Sequence, residues 1–124
     1  MLMKPLVSGD VLLQAPGNYN YVVVQEARPL LEAVLRDNAG DVVLDLSRVE
    51  YLDETGVGSI AYLFKRLLLE GRALLLAGVT GQPMRILRRL QIDRAVRILD
   101  DEEFDGLRWL GRGAAASGPL EAAL

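Results

Sequence analysis

The chain lacks cysteine and histidine, and these two absences exclude several kinds of chemistry. Without cysteine there is neither a disulfide scaffold nor a thiolate metal site. Without histidine the chain has neither the commonest metal ligand nor the usual general base of hydrolases. Catalytic triads built on serine or cysteine, and zinc-dependent hydrolysis, are therefore excluded.

Long apolar runs and nucleotide-binding motifs are also missing. The longest apolar run, residues 73–79, has the length of a strand and falls well short of the about 20 residues that span a membrane. Residues 1–5 lack the apolar segment of a signal peptide, so we expect a cytoplasmic protein that does not insert into membranes. Neither Gly-x-x-x-x-Gly-Lys nor Gly-x-Gly-x-x-Gly occurs. We therefore expect no enzymatic activity, no cofactor and no metal.

What remains is an ordinary globular composition. A length of 124 residues favours one domain with a core of useful size. Half of the residues are hydrophobic and a quarter are charged, as in most soluble domains. The net charge of −3 argues against direct binding of nucleic acid.

The most informative stretch is a strand, a turn and a helix. Residues 41–46 form an apolar run rich in β-branched residues, which predicts a buried strand. Asp45 interrupts this run, and we expect it to brace the turn that follows. The next helix is predicted from about Thr55 to Leu69, at the carboxyl end of the strand, where open α/β sheets usually bind ligands. Thr55 or Asp53 can cap this helix, and the hydroxyl of Thr55 is also suitably placed to carry a phosphate.

The remaining segments alternate between strands and helices. Residues 11–14, 73–77 and 96–99 are predicted strands, the last at an edge of the sheet. Residues 21–24 are ambiguous between strand and helix, and a helix is predicted to begin near Glu26 with Pro29 in its first turn. Another helix is predicted from Pro83 to about Leu90. A last helix after Asp100 should dock through Phe104, Leu107 and Leu110.

This order predicts an α/β fold with a mixed, mostly parallel sheet of about four or five strands, covered by about four helices. Helical spacing also predicts which side of the second helix is buried. Gly58 is expected to allow a close approach of helix and sheet. The arginines that follow Pro83 are more simply a solvated face than a phosphate-binding patch. The predicted buried stripe consists of Val57, Ile60, Ala61, Phe64, Leu67 and Leu68.

Three motifs, in this order, carry a resemblance to a known family. They are Asp45-Leu46-Ser47, then Asp53-Glu54-Thr55-Gly56-Val57-Gly58, then a Gly-led strand over residues 71–79. The chain resembles the STAS family, the domains of sulfate transporters and anti-sigma factor antagonists, over roughly residues 10–110. The resemblance implies a STAS domain over residues 1–110, while the composition of residues 111–124 predicts a flexible tail.

The resemblance also implies a function and a site. Thr55 occupies the position of the family's phosphoacceptor serine, Asp53 matches the motif's aspartate, and Glu54 replaces the motif's first serine. The implied partner is an anti-sigma factor with serine/threonine kinase activity, to which ATP would belong. The alternative is a STAS subunit that docks on the ATPase of a phospholipid-transport ABC complex. Asn20 aligns with an acidic position that the family often has near the acceptor. The implied partner-binding residues are Asn20, Asp53, Glu54, Thr55, Gly56, Val57 and Gly58.

Overall fold

The fold comes from a computed structural model, which describes residues 1–6 and 9–107. Strands and helices alternate along most of this length. The elements are β1 (Leu2–Pro5), β2 (Val11–Gln14), β3 (Asn18–Tyr19), α1 (Tyr21–Asp37), β4 (Val42–Asp45), β5 (Tyr51–Leu52), α2 (Glu54–Leu69), β6 (Leu74–Ala77), α3 (Gly81–Arg89), α4 (Ile92–Ala95), β7 (Arg97–Ile98) and α5 (residues 101–107).

The main sheet has five strands in the order β1-β2-β4-β6-β7. Strand β1 pairs antiparallel with β2, and the other three pairings are parallel. The predicted mixed, mostly parallel sheet is confirmed, and β7 lies at an edge as expected. Strand β1 was not predicted from the sequence. Its four residues are all exposed, so it carries no alternation of buried and exposed side chains.

Helices cover the two faces of the sheet unequally. Residues on alternate positions of β2 and β4 point to opposite faces, as strand geometry requires. Val11, Leu13, Val42 and Leu44 join the larger core cluster with α1, α2 and α3. On the other face Leu12 and Val43 pack with Phe104 of α5. The predicted docking of the last helix through Phe104 is therefore confirmed, while Leu110 and the predicted tail lie outside the described residues.

Helix α1 begins five residues earlier than the sequence predicts. Asn20 is its N-cap, and the Asn20 side chain accepts a hydrogen bond from the backbone N–H of Val23 at 3.2 Å. The prediction of a start near Glu26 was wrong, because Pro29 lies well inside the helix. Proline removes the hydrogen bond to the carbonyl of Gln25, but both residues are exposed, so water can satisfy that carbonyl.

Helix α2 buries a slightly different stripe from the predicted one. Leu63 is buried although it was not predicted, and Leu68 is 60% exposed although it was. Gly58 is exposed, and a Cβ atom added there would meet nothing within 4 Å. The close approach predicted for Gly58 is instead made by Gly56, which is buried. The buried face of α2 is therefore shifted by about one residue from the predicted face.

Two short strands that were not predicted form a second, two-stranded sheet. Strands β3 and β5 pair in parallel, with Asn18 opposite Tyr51 and Tyr19 opposite Leu52. Each strand has only two residues within a stretch that reads as a turn, which is too short for a periodic pattern. This small sheet matters for function because β3 leads into α1 and β5 leads into α2.

Helices α3 and α4 complete the chain between β6 and β7. Helix α3 begins two residues before Pro83, and the four-residue α4 was not predicted. Within residues 1–6 and 9–107, the structure has no helix with the length and apolar character needed to cross a membrane.

Candidate functional site

The start of α2 is capped by Asp53, which leaves Thr55 accessible. An oxygen of the Asp53 side chain accepts a hydrogen bond from the backbone N–H of Gly56 at 2.8 Å. Thr55 is therefore the second residue of the helix rather than its cap. Its side chain is exposed, and its hydroxyl makes no hydrogen bond with any residue that the structure describes. The hydroxyl is free for chemistry at a helix end where the dipole favours negative charge.

The turn before α2 is held by contacts from distant parts of the chain. The backbone N–H of Asp53 donates to the carbonyl oxygen of Tyr19 at 3.3 Å, which places Asp53 beside Asn20. Gln82 of α3 forms two hydrogen bonds of 2.8 Å with the backbone of Leu52, one to its N–H and one to its carbonyl. These contacts fix the two residues that precede the helix and thereby the position of Thr55.

Gly56 lets the helix start approach β3 closely. A Cβ atom at Gly56 would overlap the Tyr19 carbonyl oxygen and lie 2.6 Å from Cδ1 of Leu52. Tyr19 itself is 1% exposed, and its hydroxyl shares a hydrogen bond of 3.2 Å with the Ser59 hydroxyl. Burial raises the pKa of Tyr19 above its ordinary value of 10.0, and the Ser59 hydrogen bond offsets only part of that rise.

A groove of about 420 Å³ lies between α1 and α2, and Thr55 is its lining residue nearest the start of α2. Val24 and Leu31, both largely buried, form its apolar floor. Its remaining lining residues are polar or small, and they are Gln25, Arg28, Glu32, Thr55, Gly58, Ser59 and Tyr62.

A hydrogen-bonded network bridges the two helices at the far end of this groove. The Tyr62 hydroxyl donates to Oε1 of Glu32 at 2.8 Å, and Arg66 forms an ion pair of 3.5 Å with Oε2. Arg66 also donates to the Tyr62 hydroxyl, and its guanidinium lies 5.5 Å from the centre of the Tyr62 ring. The network ties α1 to α2 and occupies both carboxylate oxygens of Glu32.

The residues predicted for the site divide into an exposed and a buried group. Glu54, Thr55 and Gly58 are exposed, and Asn20 and Asp53 are half-buried beside them. Gly56 and Val57 are buried, so a docking partner would meet their neighbours first. Asp45 braces the turn after β4 as expected, accepting a hydrogen bond of 2.8 Å from the backbone N–H of Ser47.

Four residues around the site were not found from the sequence. Ser59 and Tyr62 follow Thr55 at spacings of four and seven, so helical periodicity could have placed them on its side of α2. Arg28 and Gln82 carry no such signal, because they reach the site from other helices.

The structure is thus a small α/β domain whose five-stranded sheet is mostly parallel and whose second helix has an exposed start capped by Asp53. The sequence model of the STAS domain family matches residues 2–104, and the chain belongs to this family.

Solved structures agree with this fold. The chain is similar to TM1081 from Thermotoga maritima, with 24% identity and a TM-score of 0.69 over 85% of this chain and 92% of that one. It is similar to the unphosphorylated anti-sigma factor antagonist SpoIIAA, with 14% identity and a TM-score of 0.67 over 86% and 96%. The phosphorylated form of SpoIIAA, a Bacillus cell fate determinant, gives 13% identity and a TM-score of 0.65 over 85% and 96%. A sulfate transporter family protein from Wolinella succinogenes gives 21% identity and a TM-score of 0.69 over 89% and 93%.

Proposed function

We propose that this chain is an anti-sigma factor antagonist that is switched by phosphorylation of Thr55. In the unphosphorylated state it binds an anti-sigma factor that is also a serine/threonine kinase, and this releases the sigma factor. The observation that carries the proposal is the division of roles at the helix start. Asp53 caps the helix, while the Thr55 hydroxyl is exposed and forms no hydrogen bond with any residue that the structure describes. The solved structures of SpoIIAA in both phosphorylation states agree with a switch of this kind.

The modification is a phosphoryl transfer in which the partner supplies both ATP and the catalytic groups. The Thr55 hydroxyl oxygen forms a bond to the γ-phosphorus of ATP, and the bond from that phosphorus to the β,γ-bridging oxygen breaks. ADP leaves, and the hydroxyl proton passes to a base of the kinase. The chain itself supplies a fixed and accessible acceptor, because Asp53 and Gln82 hold the turn rigidly.

Phosphorylation should abolish binding while it leaves the fold intact. A phosphate adds roughly −1.5 to −2 charges, and the helix start stabilises a negative charge by about 0.3–1 kcal/mol. The carboxylates of Asp53 and Glu54 oppose this gain, so the net effect on the domain is small. A partner that covers the turn would have to bury the phosphate beside these carboxylates, which is costly. Phosphorylation of Thr55 should therefore be detected as a loss of partner binding and not as a change of fold.

Affinity capture with nucleotide tests this function. The full chain is immobilised and exposed to extract of its source organism, with and without Mg²⁺-ATP. Bound proteins are identified by mass spectrometry, and phosphorylation of Thr55 is measured on the same sample. We expect an anti-sigma kinase to be captured without ATP and released as Thr55 becomes phosphorylated. Thr55→Ala should retain the kinase permanently, and Thr55→Glu should lose it.

Thr80 provides a matched control for Thr55→Glu. It is an exposed threonine at the start of α3, and its side chain makes no cap hydrogen bond. Thr80→Glu should therefore capture the kinase as the unmodified chain does. Equal capture by Thr55→Ala and Thr55→Glu would contradict the switch. Capture of a transporter ATPase in place of a kinase would instead favour the role in a phospholipid-transport complex.

A further inference from the structure

Thr55 shares the groove between α1 and α2 with an arginine. Arg28 of α1 lines this groove together with Thr55 and Ser59 of α2. Its side chain is exposed. Among the residues that the structure describes, Arg28 has no ion-pair partner. A cation without an ion-pair partner among the described residues therefore lines the same groove as the proposed acceptor hydroxyl.

The nearest acidic residue on the same helix, Glu32, is held by other residues at the far end of the groove. Glu32 follows Arg28 by four residues, which is the spacing at which helical side chains of opposite charge meet. Both oxygens of the Glu32 carboxylate are already engaged, one by the Tyr62 hydroxyl and the other by Arg66. Arg28 is thus left available for an anion on the other side of the groove.

The geometry allows Arg28 to reach a phosphate on Thr55. The hydrogen bond from Asp53 to Tyr19 aligns the starts of the two helices, whose caps are Asn20 and Asp53. Arg28 lies eight residues after the cap of α1, and Thr55 lies two residues after the cap of α2. The difference of six residues corresponds to about 9 Å of helical rise. Side chains on a helix lean toward its N-terminus, which directs Arg28 toward Thr55.

Gly58 keeps the space between them open. Glycine inside a helix is unfavourable relative to alanine. No neighbouring atom that the structure describes makes glycine necessary at position 58, because an added Cβ would meet nothing within 4 Å. That Cβ would stand in the groove that Gly58 lines. Packing of the folded domain therefore does not require glycine at this position, and the groove is wider here than an alanine would leave it.

We infer that Arg28 is the cation that binds the phosphate of phosphorylated Thr55 across the groove. The inference rests on the proposed function, since it concerns the phosphorylated state of that same site. The pair joins α1 to α2 over the apolar floor formed by Val24 and Leu31. Phosphorylation therefore does more than add charge at the helix start, because it also closes the mouth of the groove to a partner.

Titration of the phosphate by ³¹P NMR tests this pair without any partner protein. Phosphothreonine is incorporated at position 55 of the full chain during translation. Asp53 and Glu54 lie beside the phosphate and raise its second pKa, Glu32 at the far end of the groove acts in the same direction, and Arg28 lowers it. We expect the titration midpoint to rise by roughly 0.2–0.7 pH units in Arg28→Gln, the range of an exposed ion pair. The Nε–H resonance of Arg28 should move with the same midpoint, and 1 M salt should reduce the difference.

Two further variants serve as controls. Arg28→Lys keeps the charge and should keep part of the lowered midpoint. Arg36→Gln removes an exposed arginine of the same helix that pairs with Asp37 and does not line the groove, so the midpoint should not change. An identical midpoint in the unmodified chain and Arg28→Gln would overturn the inference, as would an equal rise in Arg36→Gln. Failure of the proposed function is a separate result, namely a phosphorylated chain that still captures the kinase.

Discussion

At the scale of single residues, Asp53 and Thr55 have different roles although both lie at the start of α2. Asp53 satisfies the backbone N–H of Gly56, whereas the Thr55 side chain is exposed. Asp53→Ala should lower the free energy of unfolding by about 0.5–2 kcal/mol, because a capping hydrogen bond is lost. Thr55→Ala should change it by less than about 0.5 kcal/mol, as exposed substitutions usually do.

Urea unfolding followed by circular dichroism measures both changes. If Thr55→Ala cost as much as Asp53→Ala, the threonine would be contributing to the cap. The exposed hydroxyl would then need another explanation than phosphorylation.

The two glycines of α2 should respond to alanine in opposite directions. Gly56→Ala places a methyl group against the Tyr19 carbonyl and Leu52, in a part of the core that has no room for it. We expect a loss of about 1–3 kcal/mol, the usual cost of overpacking. Gly58→Ala meets nothing within 4 Å and should gain about 0.5–1 kcal/mol from helix propensity.

Thermal unfolding of the two variants, measured side by side, checks this prediction. Each glycine serves as the control for the other, because they lie two residues apart in one helix. A destabilised Gly58→Ala would show that the groove is already filled by part of the folded chain.

At the scale of elements, Pro29 makes α1 less stable than its length suggests. The proline interrupts the helix, and the carbonyl of Gln25 is left to water. Pro29→Ala should raise the free energy of unfolding by about 2 kcal/mol. This is the interior-proline cost of roughly 3 kcal/mol less the roughly 0.4–1 kcal/mol by which proline restricts the unfolded chain.

Urea unfolding checks this value, with Gln25→Ala as the control on the same exposed side of α1. The control should stay within about 0.5 kcal/mol of the unmodified chain. A Pro29→Ala variant that is no more stable would indicate that Pro29 lies in the first turn of the helix, as the sequence pattern predicts.

At the scale of the whole molecule, the buried Tyr19 makes stability sensitive to alkaline pH. Burial raises its pKa above 10.0, so the folded chain keeps the phenol proton at a pH where the unfolded chain loses it. The contribution of Tyr19 to stability is complete below pH 10.0 and is lost as the pH rises through the raised pKa of the folded state.

Tyr19→Phe should therefore lose less stability than the unmodified chain above pH 10.0. Urea unfolding on both sides of that pH measures the difference. Tyr51→Phe is the comparison variant, because it removes a tyrosine hydroxyl from a side chain that is 53% exposed. The same alkaline loss in Tyr19→Phe would assign the effect to other groups.

The extent of the folded domain is a second property of the whole molecule. The family match ends at residue 104, and Phe104 is the last buried residue of the described core. A chain truncated after Leu110 should retain its unfolding midpoint, because the predicted tail of residues 111–124 has no periodic apolar pattern. A truncated chain that unfolds at lower temperature or expresses only as aggregate would show that the tail belongs to the domain.

The sequence alone determined the elements whose signals are local and long. Apolar runs and helical spacing predict strand β4, helix α2, strand β6 and the edge strand β7. These signals are local, because burial of one face dictates which residues are apolar. The fold class follows from the alternation of these elements. The motif over residues 53–58 likewise located the candidate site.

Only the tertiary structure decided how the site is assembled. The cap at Asn20 and the burial of Val24 and Leu31 outweigh the proline, so α1 begins earlier than its local pattern indicates. The two-residue strands β3 and β5 exist because they pair with each other across more than thirty residues. Arg28 and Gln82 reach the site from other helices. Such contacts depend on the relative placement of distant segments, which leaves no periodic trace in the sequence.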